Sequence, residues 1–287
     1  MFSCLLAVAL TFSYADARSS FSTACSLVSM HTPRDAGTLN GRMAANYLCN
    51  AAISAGARAS IDSFTAPTPA GMKEFHNVVA EWTNVSTGDW VVVVSHYDTK
   101  PFVKCPGAND GASTSGLLVG LARAINSCTF HEGNIMLMWL DGEECMYSYT
   151  STDGLWGSRH AADRLKASDR KVKAVICVDM LGDSDLKISL PRNSSSALRR
   201  LALESAKRTG HANIVEEMRE SVKDDHLPFH TLGFPAIDLI DFEYGSAPGL
   251  NDYWHTPKDT IDKISIFSLQ ASGEIVCDMI NSLFPKK

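Results

Sequence analysis

The sequence predicts an α/β fold built on an open sheet, and three observations carry that prediction. The run 135–140 is unbroken apolar and the runs 90–95, 174–178 and 234–240 are predominantly apolar, the pattern of strands buried on both faces. Each stops on polar chemistry: His96-Tyr97-Asp98, Asp141-Gly142-Glu143-Glu144, Asp179 and Asp241. From Trp90 onward, buried strand, loop and helix alternate, as in βαβ units. Ligands of open α/β sheets bind beyond the carboxyl ends of the strands, so a single sheet edge is expected to collect a histidine and several carboxylates.

The elements follow in order. Residues 42–55 carry Ala44, Leu48 and Ala52 at helical spacing, and Gly56 stands where a helix stops. Stretches 60–64 and 76–82 read as strands around the Pro- and Gly-containing turn at 66–71, an edge hairpin. A loop with Pro101 and Pro106 leads to Gly107-Ala-Asn-Asp110-Gly111-Ala-Ser113, whose small residues let the backbone approach whatever Asp110 binds. Leu117, Leu118, Leu121 and Ile125 then share a helix face. After Glu144 come a polar, aromatic loop over 145–156, a helix from near Ser158, and the strand ending at Asp179. A short strand over 186–190, a helix over 195–208 and a loop at 220–225 precede His226-Leu-Pro-Phe229, the start of a short helix. The strand 234–240 runs into a loop closing on Trp254-His255-Thr256, and the last helix buries Leu269, Val276, Ile280 and Leu283. No repeat, low-complexity tract or dividing linker interrupts the chain.

The 287 residues are 45% hydrophobic, an ordinary fraction for a chain with a real core. A net charge of -6 and a pI near 5.8 argue against a nucleic-acid or anionic-membrane partner. Residues 1–17 read as a secretory signal, with a short apolar region at 5–12 and the A-x-A pattern Ala15-Asp16-Ala17, although no Lys or Arg precedes Leu5. That run falls short of the ~20 residues needed to span a bilayer. Residues 18–287 are then the mature domain, expected to be secreted or periplasmic, monomeric and without a membrane span. Removing the signal removes Cys4 and leaves seven cysteines, of which Cys25 and Cys49 are a possible disulfide pair in an oxidising compartment. Asn84-Val-Ser86 and Asn193-Ser-Ser195 fit the glycosylation sequon.

His96, Asp110, Glu144, Asp179 and His255 are nitrogen and oxygen donors at one sheet edge, a set that suits zinc. Taken singly, each has a plainer reading: an Asp after a strand commonly caps a helix, and a lone His commonly lies on the surface. Their correlated placement at several strand ends favours a metal. The adjacent Glu143 and Glu144 repel unless a cation compensates them. Neighbouring loop side chains diverge, so Glu144 is expected to bind the metal while Glu143 carries protons at the substrate. His226 is expected to orient a carboxylate such as Asp225 rather than to bind metal.

The blocks Ser95-His-Tyr-Asp-Thr-Lys100, Gly107 through Ser113, Asp141-Gly-Glu-Glu144, Asp153-Gly-Leu-Trp-Gly-Ser-Arg-His160, Val178-Asp-Met-Leu-Gly182, Asp224-Asp-His-Leu-Pro-Phe229 and Trp254-His-Thr256 resemble the zinc aminopeptidase family that includes the glutaminyl-peptide cyclotransferases. The resemblance implies a single α/β domain with a central, mostly parallel mixed sheet and helices on both faces. It places His96, Asp110, Glu144, Asp179 and His255 on the family's metal positions and Glu143 on its general acid/base. In its cyclase branch Asp110, Glu144 and His255 hold one zinc, with Asp179 and Asp225 supporting the proton relay. In its peptidase branch His96 and Asp179 complete a second zinc site. Asp153 through His160, the doubled Asp224-Asp225 and Trp254 look like the cyclases, whereas 107–113 looks more like the peptidases. Tyr149 stands where cyclases usually place a tryptophan.

The expectation is therefore cyclisation of N-terminal glutamine on peptides or proteins, with Tyr149 and Trp254 walling the substrate pocket. The alternative is a dizinc aminopeptidase. A serine hydrolase is poorly supported, because no G-x-S-x-G occurs. A non-catalytic binding module is disfavoured by the complete ligand set.

Overall fold

The computed structural model describes residues 9–85, 88–128 and 133–284. Its strands are β1 (Arg58–Thr68), β2 (Gly71–Thr83), β3 (Trp90–His96), β4 (Asn134–Leu140), β5 (Val172–Asp179), β6 (Ile188–Leu190), β7 (Val215–Glu217) and β8 (Ala236–Ile240). The helices are α1 (Tyr14–His31), α2 (Leu39–Ser54), α3 (Thr114–Ser127), α4 (Trp156–Lys166), α5 (Ser196–Thr209), α6 (His226–Thr231) and α7 (Ile266–Leu283).

All eight strands form one sheet in the order β1-β2-β4-β3-β5-β8-β6-β7. The apolar runs β4, β3, β5 and β8 are mutually parallel and occupy its centre, so their carboxyl ends reach the same edge. The expected hairpin β1–β2 is antiparallel and forms the outer edge, with β2 pairing antiparallel to β4. Every residue of β3, β4 and β8 is buried, which explains why these strands lack any alternation of apolar and polar residues.

Helices cover both faces. On one face α1, α2, α3, α5 and α7 pack over Val91, Val93, Ile135, Leu137, Ile176 and Ile237. On the other, Ala161, Ala162 and Leu165 of α4 and Phe229 of α6 pack over Val92, Val94, Met136, Met138 and Val175.

Helix α1 was not anticipated. Leu27 is the one large aliphatic among its buried residues; most of the others, Ala17, Ser20, Thr23 and Ala24, are too small to print an apolar stripe on the sequence. They let α1 lie close against α3: a Cβ added at Gly116 would stand 2.2 Å from the Ser20 carbonyl oxygen. Ser13 and Asp16 form a capping box that starts the helix. Just before it, Leu10 and Phe12 are buried in the core, and Asn281 of α7 clasps the Leu10 backbone from both sides at 3.0 and 2.8 Å. Part of the stretch that reads as a leader thus packs here as an element of the domain. Residues 1–8, with Cys4, lie outside the described residues.

Cys25 and Cys49 carry free thiols, so that possible pair is not a disulfide here. Of the sequons, Ser86 falls outside the described residues, and Asn193 is engaged through both ends of its amide with Val222. No described helix is long and apolar enough to cross a membrane.

Candidate metal centre and active site

The carboxyl ends of β3, β4 and β5 deliver His96, Glu143 with Glu144, and Asp179 to one place; the turn before α3 adds Asp110, and the loop after β8 adds His255. Donor atoms of Asp110, Glu144 and His255 lie within 4.8 Å of one another, as do those of His96, Asp110 and Asp179. All five residues expected at the metal edge are therefore together, with Asp110 common to both groups.

The first group converges on His255. Its Nε2 is 2.8 Å from Glu144 Oε1 and 3.3 Å from Asp110 Oδ2. Tetrahedral zinc with ligands at ~2.0–2.1 Å sets neighbouring donors about 3.3 Å apart, so this spacing suits that ion. Asp110 Oδ2 and Glu144 Oε2 are buried without a hydrogen-bond partner, a costly arrangement unless a cation faces them. One imidazole and two carboxylates are a suitable zinc donor set, and these residues fit the metal. In the second group His96 Nε2 lies 3.1 Å from oxygens of both Asp110 and Asp179.

The backbone carrying these ligands is held by groups the sequence reading passed over. The Asp98 carboxylate, wholly buried, accepts the amide N–H of Glu143 at 3.1 Å and of Glu144 at 3.2 Å. Asp259 does the same for Asn109 at 2.7 Å and Asp110 at 3.2 Å, and itself accepts from the Tyr244 hydroxyl at 2.7 Å. Arg34, also wholly buried, donates to the carbonyls of Tyr97, Pro106 and Gly107. Gly111 has φ +90°, and a Cβ there would meet His96 Cε1 at 3.0 Å, which explains the small residues around Asp110. His255 itself sits at φ +55°, a strained position stacked 3.9 Å from the Trp254 ring.

Glu143 and Glu144 diverge as expected. Glu144 faces His255, and Lys100 Nζ lies 3.4 Å from its other oxygen. Glu143 turns to the Tyr149 hydroxyl, which is 2.8 and 3.1 Å from its two oxygens. Burial, then the charges of Glu144 and Asp224, push the Glu143 carboxyl well above the usual carboxylate range. Burial and Asp110 push Glu144 up to about 7. Burial opposes protonation of His255, but its hydrogen bonds with Asp110 and Glu144 outweigh that and raise it to about 9.

A cavity of about 280 Å³ opens beside these groups, lined by Asp110, Glu143, Glu144, Asp179, Asp224 and His255 on its polar side. Tyr149, Trp254, Phe242, Met180, Met218, Val222 and Ile240 line it elsewhere. Tyr149 and Trp254 stand where a pocket wall was expected, but the rest of the 147–160 tract turns away. Tyr147 is exposed and stacks on Phe102, while Trp156 is buried on Phe75 and donates to the Pro67 carbonyl. Of the doubled acids, Asp224 faces the cavity; Asp225 stands at the N-cap of α6 beside Ser158, outside the lining. His226 belongs to neither metal group, and the carboxylate it approaches is that of Asp238, at 3.7 Å, rather than Asp225. Asp241 is also structural, accepting the amides of Lys187 and Glu243. A larger depression of about 910 Å³ between β2 and α4 has charged groups that pair with each other, Arg164 with Asp62 and Arg170 with Glu81.

A buried histidine–carboxylate cluster at the carboxyl edge of a mixed sheet is the arrangement of a metal-binding α/β protein. The profile of peptidase family M28 matches residues 77–280, and the chain belongs to that family. Within it, a solved glutaminyl cyclase from an Acidobacteriales bacterium superposes with a TM-score of 0.87 at 31% identity, covering 99% of this chain and 98% of the other. The glutaminyl-peptide cyclotransferase-like protein of Mus musculus is 29% identical over 243 residues, 72% of this chain and 60% of its own length. Aminopeptidase YwaD of Bacillus subtilis is 29% identical over 201 residues, 67% of this chain and 41% of its own length.

Proposed function

We propose that the protein is a zinc-dependent glutaminyl-peptide cyclotransferase, converting the N-terminal glutamine of peptides or proteins to pyroglutamate with release of ammonia. The observation that carries this reading is the small cavity in which a partly aromatic wall of Tyr149, Phe242 and Trp254 faces Glu143 and the Asp110, Glu144, His255 group. Asp110, Glu144 and His255 would hold one zinc, which supplies polarisation of the substrate's side-chain amide carbonyl. The remaining chemistry belongs to side chains. Trp254 and Phe242 confine the glutamine side chain so that its amide carbon meets its own α-amine. As the amine nitrogen bonds to that carbon, Glu143 takes the amine proton. It returns the proton to the amide nitrogen, which leaves as ammonia when the carbon–nitrogen bond breaks. Asp179 and Asp224, both on the cavity wall, support Glu143. Asp224 takes the place that the sequence suggested for Asp225. The enzyme works as a secreted or periplasmic monomer.

A second reading, a dizinc aminopeptidase, is favoured by His96 and Asp179, which with Asp110 form a second three-donor group. One purified sample separates the two. Its zinc content is measured, and it is incubated with a glutamine-initiated peptide and, separately, with a leucyl anilide. Ammonia release without loss of a residue, at about one zinc per chain, is expected. Two zincs with release of leucine's aniline would replace cyclisation by hydrolysis.

A further inference from the structure

We infer that Tyr149 is a positioning residue for Glu143, acting through its hydroxyl, and not only a wall of the substrate pocket. This rests on the assignment of Glu143 as proton carrier above. Among the described residues the Tyr149 hydroxyl is the hydrogen-bond donor to the Glu143 carboxylate, reaching both oxygens at 2.8 and 3.1 Å. Glu143 shares its surroundings with Glu144, Asp179 and Asp224, so mutual repulsion gives its flexible side chain every reason to swing away. A donor is needed to hold it over the cavity, and the kind of donor matters. A lysine or arginine there would bind the carboxylate as an ion pair and compete with the metal site for its neighbours. A phenol is neutral and holds the carboxylate in place through a directed hydrogen bond to its oxygens. The nearby lysines are directed elsewhere: Lys100 Nζ lies 3.4 Å from Glu144, and Lys223 Nζ donates to the Tyr149 backbone carbonyl at 3.5 Å.

The loop is built to present that hydroxyl. The Asp153 carboxylate gathers the backbone N–H groups of Met146, Tyr147 and Ser148 at 2.6, 2.9 and 3.0 Å, shaping the turn from which Tyr149 projects. The next residue, Gly154, has φ +80°, and a Cβ on it would stand 2.7 Å from Tyr149 Cδ1, so the ring rests directly on the glycine backbone. Lys100 Nζ lies 5.9 Å from the ring centroid. The phenol is thus placed by its own loop, independently of any substrate, as a group that orients another must be.

The test uses the full chain with zinc bound. Tyr149→Phe keeps the ring and removes the hydroxyl; Tyr149→Leu removes both; Glu143→Gln is run beside them. Steady-state cyclisation of a glutamine-initiated peptide is measured with zinc content and melting temperature. Tyr149→Phe is expected to lower kcat about ten- to a hundredfold, the worth of a hydrogen bond to a charged group, with KM within about twofold, zinc retained and melting unchanged. Tyr149→Leu is expected to add a rise in KM to the same loss of kcat. A Tyr149→Phe enzyme with parental kcat, with a raised KM alone, or with lost zinc overturns the inference. If Glu143→Gln keeps its activity, the proton-carrier assignment itself fails. An inactive Glu143→Gln beside a fully active Tyr149→Phe removes only the role given to Tyr149.

Discussion

Asp98→Asn isolates a device on which the metal centre depends without contributing a ligand to it. Asp98 accepts the backbone N–H groups of both Glu143 and Glu144 with its two oxygens, at 3.1 and 3.2 Å, from a wholly buried position. Asparagine offers one carbonyl oxygen, so its NH₂ group would be set against the second N–H. A hydrogen bond to a charged acceptor contributes about 1.5–3 kcal/mol, and an orphaned buried N–H costs about 1–3 kcal/mol. The peptide carrying Glu144 must shift to escape that clash, and the shift is felt as loss of zinc affinity. Partners that orient metal ligands are typically worth about 10–100-fold in affinity, or roughly 1.4–2.8 kcal/mol, which agrees with losing one such bond. The assay is competition for zinc against a chromophoric chelator at fixed pH, with circular dichroism to confirm folding. A folded Asp98→Asn protein that binds zinc as tightly as the parent would refute the reasoning.

Further expectations concern other groups. Glu143→Gln should keep zinc by elemental analysis while activity falls by about two to four powers of ten, whereas Glu144→Gln should lose zinc. An emptied site in Glu143→Gln would reverse the two roles. Asp224→Asn should reduce kcat more than Asp225→Asn, because Asp224 lines the cavity and Asp225, at the N-cap position of α6, does not; the opposite order in a kinetic comparison would restore Asp225 to the relay. Burial raises Asp241 to about 7 in the folded protein, against about 3.9 unfolded, so the folded state binds the extra proton. Its contribution to stability is therefore full below about pH 4 and is lost as pH rises through about 7. Urea melts of parent and Asp241→Asn across that range should show the parent losing stability relative to the variant as pH rises, and a constant gap would count against it.

The central strands were legible because they are apolar on both faces, a pattern no surface element shows, and their shared direction followed from acids at the end of each. What escaped the sequence was what small residues and distant contacts build. Helix α1 packs through Ala17, Ser20 and Ala24 against the glycines of α3, and such an interface has no apolar signature. The short strand β7 draws its identity from pairing with β6 alone. The five metal-edge residues were legible because imidazoles and carboxylates at strand ends are unusual. Asp98, Asp259 and Arg34 were not, because they act on backbone amides and carbonyls, which look alike in every sequence. Arg34 reaches the carbonyls of Pro106 and Gly107 across more than seventy positions. The aromatic tract after Glu144 misled in part for a related reason: whether a loop aromatic faces a cavity or the core depends on the turn beneath it, and Trp156 went to the core.

These backbone staples bear on why the site has the composition it has. Asp98, Asp110, Glu143, Glu144, Asp179, Asp224 and Asp259 are all nearly or wholly buried around one edge, and the cations among them are Arg34, Lys100 and the histidines. Carboxylates in that density are costly, and each could relieve the cost by protonation. Asp98 and Asp259 spend both oxygens on N–H groups of the peptides that carry Glu143, Glu144 and Asp110. Asp110 remains ionised because its hydrogen bonds with His255 and His96 outweigh its burial and hold it well below the usual carboxylate range. In the group that meets at His255, the buried oxygens left without a hydrogen bond are Asp110 Oδ2 and Glu144 Oε2, which meet longer contacts, from His255 Nε2 at 3.3 Å and Lys100 Nζ at 3.4 Å respectively. A divalent cation relieves both at once, whereas a proton relieves one. The acids of this edge are thus sorted by what they face: peptide N–H groups for Asp98 and Asp259, the His255 imidazole for Asp110 and Glu144, and a neutral phenol for Glu143.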